Sequence, residues 1–324
     1  MTQDVRSEAA ARDASPQLGL VVPIRNEEEC LPQFLSAVEQ QLEKLKCSAE
    51  IVVVDDGSQD GSWAWLEGHQ DDQPGLILVR LTRGFGKEGA IKAGLSVSTA
   101  DAVIVMDADM QHPVECIAEM YRIWLATGAW VVEGVKRGRV RRTPVNRLGA
   151  FLFYRIGERF TGLEMRNRSD FQLLDRRAVD LFLSLPERIT TFRGIIAWLG
   201  LPTQRFPFDV APRVAGKTRW SFAKLTGLAL DMFTGFTNAP LRMMTYASLL
   251  FGALAAGLGI QTLYVYLSGQ AVEGFTTVIL VVLITGTAIC TGLGIIGEYL
   301  ARIYEEVKAR PQYVVQEVKR EPRT

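Results

Sequence analysis

Five stretches of the chain are apolar runs that end in charged or small residues. Leu18–Ile24 contains Pro23 and is followed by Arg25-Asn26-Glu27-Glu28. Glu50–Gly57 carries Ile51-Val52-Val53-Val54 into Asp55-Asp56-Gly57, and Leu76–Leu81, Ala102–Met106 and Trp130–Val135 repeat the form. Short apolar runs of this kind are how strands buried on both faces read. Between them, Glu28–Leu45 places Leu31, Phe34, Leu35, Val38, Leu42 and Leu45 at helical spacing. Lys87–Val97 and Pro113–Thr127 are read as two further helices. Strands alternating with helices predict an α/β fold, a mostly parallel sheet with helices on both faces. Ligands of such sheets bind beyond the carboxyl ends of the strands. Chemistry is therefore expected just after Ile24, Val54, Leu81, Met106 and Val135.

Two windows follow a different pattern. Thr245–Leu267 and Phe275–Gly297 are each 23 residues without a charge. At ~1.5 Å per residue each spans about 34 Å, enough for a bilayer core of ~30 Å, so two transmembrane helices are expected. The linker Ser268–Gly274 has no Lys or Arg, whereas Arg242, Arg302, Lys308 and Arg310 flank the pair. The positive-inside rule then puts both termini and the globular part on the cytoplasmic side of an inner (plasma) membrane. Residues 1–17 have no apolar segment of signal-peptide type and are expected to be a disordered tail. The expected organisation is a tail (1–17), a cytoplasmic globular domain (18–220), an interfacial helix (221–241), then two spans with a cytoplasmic C-terminal tail (242–324). Thr143–Thr161 is read as an amphipathic helix, basic on its flanks, suited to a membrane surface or else to docking on the sheet with a solvated arginine face.

Charge sharpens the picture. Of 324 residues, 36 are Lys or Arg and 36 are Asp or Glu, so the net charge is zero. That excludes a uniformly basic nucleic-acid binder and an acidic disordered chain. The balance is a cancellation: residues 1–135 hold 10 basic and 22 acidic residues, residues 136–324 hold 26 and 14. Cys30, Cys47, Cys116 and Cys290 have no metal-binding spacing, and two histidines do not complete a zinc site, so the cysteines are read as packing residues.

The strand ends carry the candidate chemistry. Asp107, Asp109 and Gln111 follow the fourth run at alternate positions, which places three oxygen donors on one side of an extended segment. Hard oxygen ligands suit Mg²⁺ or Mn²⁺ that also holds phosphates. Asp55 and Asp56 suit a ribose or a base edge, or else a strand-to-helix turn with Gly57 left-handed and Asp60 or Ser58 as N-cap. Gly84-Phe85-Gly86-Lys87-Glu88-Gly89 has the GxGxxG form but sits on the third strand–helix unit, so a dinucleotide fingerprint is rejected. Lys87 at the helix start remains a phosphate contact. Asp170 is a candidate acid/base or acceptor-orienting carboxylate. The loop from Arg213 to Arg219 has the glycine and cations of a lid over a diphosphate.

Taken in order, Val21-Val22-Pro23-x-x-Asn26-Glu27-Glu28, Val53-Val54-Asp55-Asp56-Gly57-Ser58, Phe85-Gly86-Lys87-Glu88, Met106-Asp107-Ala108-Asp109-x-Gln111-x-Pro113, Asp170-Phe171-x-Leu173 and Arg213-x-x-Gly216-x-Thr218-Arg219 resemble the polyprenyl-phosphate glycosyltransferases of glycosyltransferase family 2. With two spans and Gly297-Glu298-Tyr299-Leu300, the chain is similar to dolichol-phosphate mannose synthases and bactoprenol glucosyltransferases. The resemblance implies a GT-A fold and inverting transfer of glucose from UDP-glucose, a nucleotide sugar, to polyprenyl (undecaprenyl) phosphate, a lipid at the membrane. GDP-mannose as donor and a non-catalytic nucleotide-sugar binder are the alternatives. It also implies that Pro23, Glu27 and Asp55 hold the nucleoside. Asp107, Asp109 and Gln111 hold Mg²⁺ or Mn²⁺ and the diphosphate. Lys136, Arg213 and Arg219 contact phosphates, and Asp170 stands at the position of a catalytic base. A homo-tetramer is expected, and no nucleic-acid partner. Arg25 departs from the family, where an aromatic residue is common.

Overall fold

The computed structural model describes residues 18–45, 47–70, 75–137, 168–187, 191–209, 239–269 and 275–320. The chain divides into two compact units: the residues of a sheet and its helices, and the residues of two long helices.

The sheet unit alternates as the apolar runs require. β1 (Leu18–Ile24), β2 (Ala49–Asp55), β3 (Leu76–Leu81) and β4 (Ala102–Val105) are separated by α1 (Leu31–Leu45), α2 (Ser62–His69) and α3 (Lys87–Val97). Then come α4 (Cys116–Thr127), β5 (Val131–Arg137), β6 (Arg168–Asp175), α5 (Arg176–Ser184), α6 (Phe192–Leu199), β7 (Thr203–Asp209) and, at the C-terminal end of the chain, β8 (Val315–Arg320). The eight strands lie in the order β7-β5-β6-β4-β1-β2-β3-β8. β1 pairs in parallel with β2 and β4, β2 with β3, and β5 with β7; β6 and β8 run against their neighbours.

Side chains alternate across this sheet into two cores. Leu20, Val22, Val53, Leu78 and Ile104 face one side with Phe34 and Leu35 of α1 and Ile117 and Met120 of α4. Val21, Val52, Val54, Val79 and Val103 face the other with Ile91 and Leu95 of α3, Val179 and Phe182 of α5 and Ile196 of α6. Helix α3 packs on its strands through small residues: a Cβ at Gly94 would overlap the Val21 side chain and approach Val54 Cγ2 to 3.0 Å.

Element ends differ by a few residues from the sequence pattern, for local reasons. α1 starts at Leu31 rather than Glu28, because Asn26 is left-handed (φ 56°) and the Glu27 and Glu28 N–H groups donate to Ser62 and Asp60 instead of entering a helix. Gly57 takes φ 69°, as the turn requires, but the N-cap of α2 is Gly61; Asp60 accepts from the Ser62 N–H instead. The C-terminal segment, expected as a tail, carries β8 on the outer edge of β3. Thr82 N–H donates to Val314 O (3.0 Å), and the Tyr313 hydroxyl donates to Ser96 Oγ (2.9 Å).

The second unit contains α7 (Ala239–Leu267) and α8 (Phe275–Lys308), which enclose the two windows read from the sequence. Both are long and apolar enough to cross a membrane, and Leu249, Ile260, Val282 and Leu293 on them are exposed. They meet where a Cβ at Gly292 would lie 2.8 Å from Met244 Cε. The tail 1–17, the amphipathic helix expected at Thr143–Thr161, the body of the interfacial helix (221–238) and the loop holding Arg213 and Arg219 lie outside the described residues.

Candidate functional site

At the carboxyl edge of the sheet, side chains of one loop satisfy the backbone of the next. The Asn26 N–H donates to Ser58 Oγ (2.9 Å), and the Gln59 N–H returns to Asn26 Oδ1 (2.7 Å). The Gly61 N–H donates to Glu28 Oε2 (2.9 Å), and Asp56 accepts from the Phe85 N–H (2.6 Å) and the Gly86 N–H (3.0 Å). The loops after β1, β2 and β3 are therefore one hydrogen-bonded assembly. Two amides of the Gly84–Gly89 segment, those of Phe85 and Gly86, are thus occupied by Asp56.

Pro23 and Glu27 stand at the end of β1 and just beyond it, both partly buried. Asp55 ends β2, fully buried, with Oδ1 accepting from the Ser58 N–H (2.9 Å) and Oδ2 3.9 Å from Arg80 Nε. Asp55 Oδ2 has no hydrogen-bond partner among the described residues. A buried carboxylate oxygen in that state calls for a donor, and the Arg80 guanidinium is the charged group beside it.

The antiparallel direction of β6 decides the position of Asp170. A parallel strand presents its end at this edge; a reversed strand presents its beginning. Val105 pairs with Gln172, and continuing that register sets Asp107 opposite Asp170. Lys87, the first residue of α3, lies between them: its Nζ is 2.6 Å from Asp107 Oδ1 and 2.8 Å from Asp170 Oδ2. Burial alone would push the Asp170 carboxyl upward; the charges of Lys87 and Arg193 outweigh it and hold the group below the usual carboxylate range. Burial likewise opposes the Lys87 ammonium, and the two aspartates more than restore it, raising its pKa. Asp170 is thus an ionised partner of a permanent cation, a poor arrangement for a strong base.

Two side chains missed by the sequence reading shape this cluster. His112, almost fully buried, accepts the Asp107 N–H at Nδ1 (3.3 Å) and stacks on Phe171 with ring centroids 4.8 Å apart. Burial pushes its pKa down, keeping it a neutral acceptor. Glu88 accepts the Phe192 N–H at 2.6 Å, and burial followed by the nearby Asp170 charge raises its pKa to about 7. Glu88 stood inside a quoted motif and His112 beside Gln111, but burial and partners are not written in a linear motif.

Asp109 Oδ1 accepts the Gln111 N–H (3.1 Å) across a turn at Met110 (φ 60°). The described residues contain no group of three or more His, Cys, Asp or Glu side chains placed to hold a metal. The donors present still fit one. Mg²⁺ and its relatives commonly take one or two protein carboxylates and complete the shell with water and substrate phosphates. Asp107 and Asp109, two residues apart at a strand end, have that chemistry. Lys136 lies near the end of β5, and its charge reaches His112. Arg213 and Arg219 are among the residues not described.

Residues 20–182 match the model of glycosyl transferase family 2. The chain belongs to glycosyltransferase family 2. Its relatives match along almost all of it. An uncharacterized glycosyltransferase of Synechocystis (sll0501) is 37% identical over 93% of this chain and 95% of that protein. A prophage bactoprenol glucosyl transferase homolog of Escherichia coli is 34% identical over 94% and 100%. The bactoprenol glucosyl transferase of Shigella phage SfV is 34% identical over 94% and 99%. The protein is a glycosyltransferase with a GT-A-like, mostly parallel α/β domain, and the matched length takes in its two apolar helices.

Proposed function

We propose that this glycosyltransferase moves glucose from UDP-glucose to a polyprenyl phosphate at the cytoplasmic membrane face, with inversion. The observation that carries the reading is the extent of similarity. Proteins named for bactoprenol glucosylation match both the sheet and the apolar helices, so the part suited to a lipid acceptor is shared along with the part suited to a nucleotide sugar. Connectivity supports the sidedness. The chain runs from β7 through α7 and α8 to β8, and two crossings return it to the side it left, where Arg242, Arg302, Lys308 and Arg310 also fall.

In this reading Pro23, Glu27 and Asp55 hold the nucleoside. Asp107, Asp109 and Gln111 would hold Mg²⁺ or Mn²⁺, which when bound neutralises the departing diphosphate. Lys136, Arg213 and Arg219 contact phosphates. A phosphate oxygen of the lipid attacks the anomeric carbon, the bond from that carbon to the nucleoside diphosphate breaks, and the configuration inverts. Because the second pKa of a phosphate monoester is ~6, the nucleophile is already mostly dianionic at neutral pH. Asp170 then holds the Lys87 ammonium in place rather than taking a proton. A screen of UDP-glucose, other UDP-sugars and GDP-mannose against undecaprenyl phosphate, read by mass spectrometry of the lipid, tests the assignment. Glucosyl lipid is expected as the main product; mannosyl lipid, or no lipid product with any donor, contradicts it.

A further inference from the structure

We infer that Lys87 is an internal counter-cation that competes with the divalent metal for Asp107. The inference rests on the proposed metal role of Asp107 and says how that site is regulated. The Lys87 backbone is fixed: the two residues before it donate their N–H groups to Asp56, and Lys87 begins a helix packed on the sheet. Its ammonium is within hydrogen-bond distance of one oxygen of Asp107 and one of Asp170. Asp107 therefore meets its nearest positive charge inside the protein. A divalent cation binds a carboxylate oxygen at about 2.0–2.6 Å. Bound to the same carboxylate, it would lie within a few ångströms of the Lys87 ammonium, and the two positive charges would repel.

Metal entry is thus favoured when Lys87 leaves Asp107. The second partner makes this a short movement, because Asp170, the less exposed of the two carboxylates, retains the ammonium. Two consequences follow. The protein alone binds the metal weakly, and the added negative charge of a nucleoside diphosphate tips the balance, so metal and donor substrate bind together. The displaced ammonium also regains a donor hydrogen for a phosphate oxygen, since Lys carries three. Lys87 is in this account a positioning residue that keeps the site closed to metal until the donor arrives.

The test is Mn²⁺ binding to the purified full-length protein without nucleotide, read from the electron paramagnetic resonance of free Mn²⁺. Lys87→Met is expected to bind Mn²⁺ on the order of tenfold more tightly than wild type, as removal of a competing contact charge implies. Lys87→Arg keeps the charge and is expected to bind as weakly as wild type. The gain is expected to vanish in Lys87→Met combined with Asp107→Asn. Equal or weaker binding by a folded Lys87→Met overturns the inference, as does a gain that survives loss of Asp107. The wild-type protein provides a measurement that does not depend on the variant folding: a structure with Mn²⁺ and UDP should show the Lys87 ammonium off Asp107 and still on Asp170. Lys87 bridging both carboxylates in that complex also overturns it. Glucosyl transfer by the wild type is a separate readout, so the functional reading and this one can fail independently.

Discussion

Asp170 and Asp109 are both carboxylates at one sheet edge, yet their surroundings assign them different work. Asp170 is bonded to Lys87 and held ionised, while Asp109 lies in the loop proposed to hold a metal. Asp170→Asn is expected to slow transfer by less than the ~10²–10⁴-fold that loss of a positioned acid/base group costs, because Asp170 holds a cation and takes no proton. Asp109→Ala is expected to slow it more, and steady-state rates of the two purified variants check the ranking. Glu88 gives a pH signature. Its folded pKa, about 7, lies above the ordinary glutamate value, so between roughly pH 4.5 and 7 the folded state binds more protons than the unfolded. Its contribution to stability therefore falls as pH rises through that window, by at most ~1.4 kcal/mol per pH unit. Glu88→Gln, which keeps an acceptor for the Phe192 N–H, is expected to flatten the pH dependence of the melting temperature between pH 5 and 7. An unchanged slope would contradict the assignment. The strand-end acids Asp55, Asp107 and Asp109 were legible because a buried run ending in acids is a local pattern. The bridge through Lys87 was not, since its partners are 20 and 83 positions away in sequence.

The elements divide along the same line. β1 to β4 were legible because both faces are buried and almost every residue is apolar. β7 and β8 were not. β7 (Thr203-Gln204-Arg205-Phe206-Pro207-Phe208-Asp209) is mostly exposed, and β8 alternates between partly buried and exposed residues. Both are edge strands, specified by pairing more than by composition. The reversal of β6, which carries Asp170 to the functional edge, is a property of the loop connections and not of the strand's own residues. Helix α3 positions Lys87 through its close approach to the sheet, so that contact is a sensitive point. Gly94→Val should force the helix away from Val21 and Val54 and destabilise the protein by about 1–3 kcal/mol in chemical denaturation. A variant as stable as wild type would show that α3 has room to move.

Across the whole molecule, the zero net charge separates into an acidic half that supplies the strand-end carboxylates and a basic half that contains the phosphate-binding candidates and the flanks of α7 and α8. The two apolar windows were legible as long helices, because uncharged runs of 23 residues are a local pattern. The return of the chain to the sheet as β8 was not, and it makes the sidedness testable. In a Cys47→Ser, Cys290→Ser background, which leaves only the buried Cys30 and Cys116, a cysteine at Ser268 should react with an impermeant maleimide on intact cells, and one at Gln316 should react only after lysis. Labelling of both from outside would contradict a two-span arrangement. The central claim is that a lipid phosphate oxygen takes the glucosyl group, and ³¹P NMR of the purified enzyme with UDP-glucose, undecaprenyl phosphate and Mg²⁺ follows that oxygen directly. Loss of the phosphomonoester signal is expected, with equal gains of UDP and a phosphodiester. UDP release with the lipid monoester signal unchanged would contradict it.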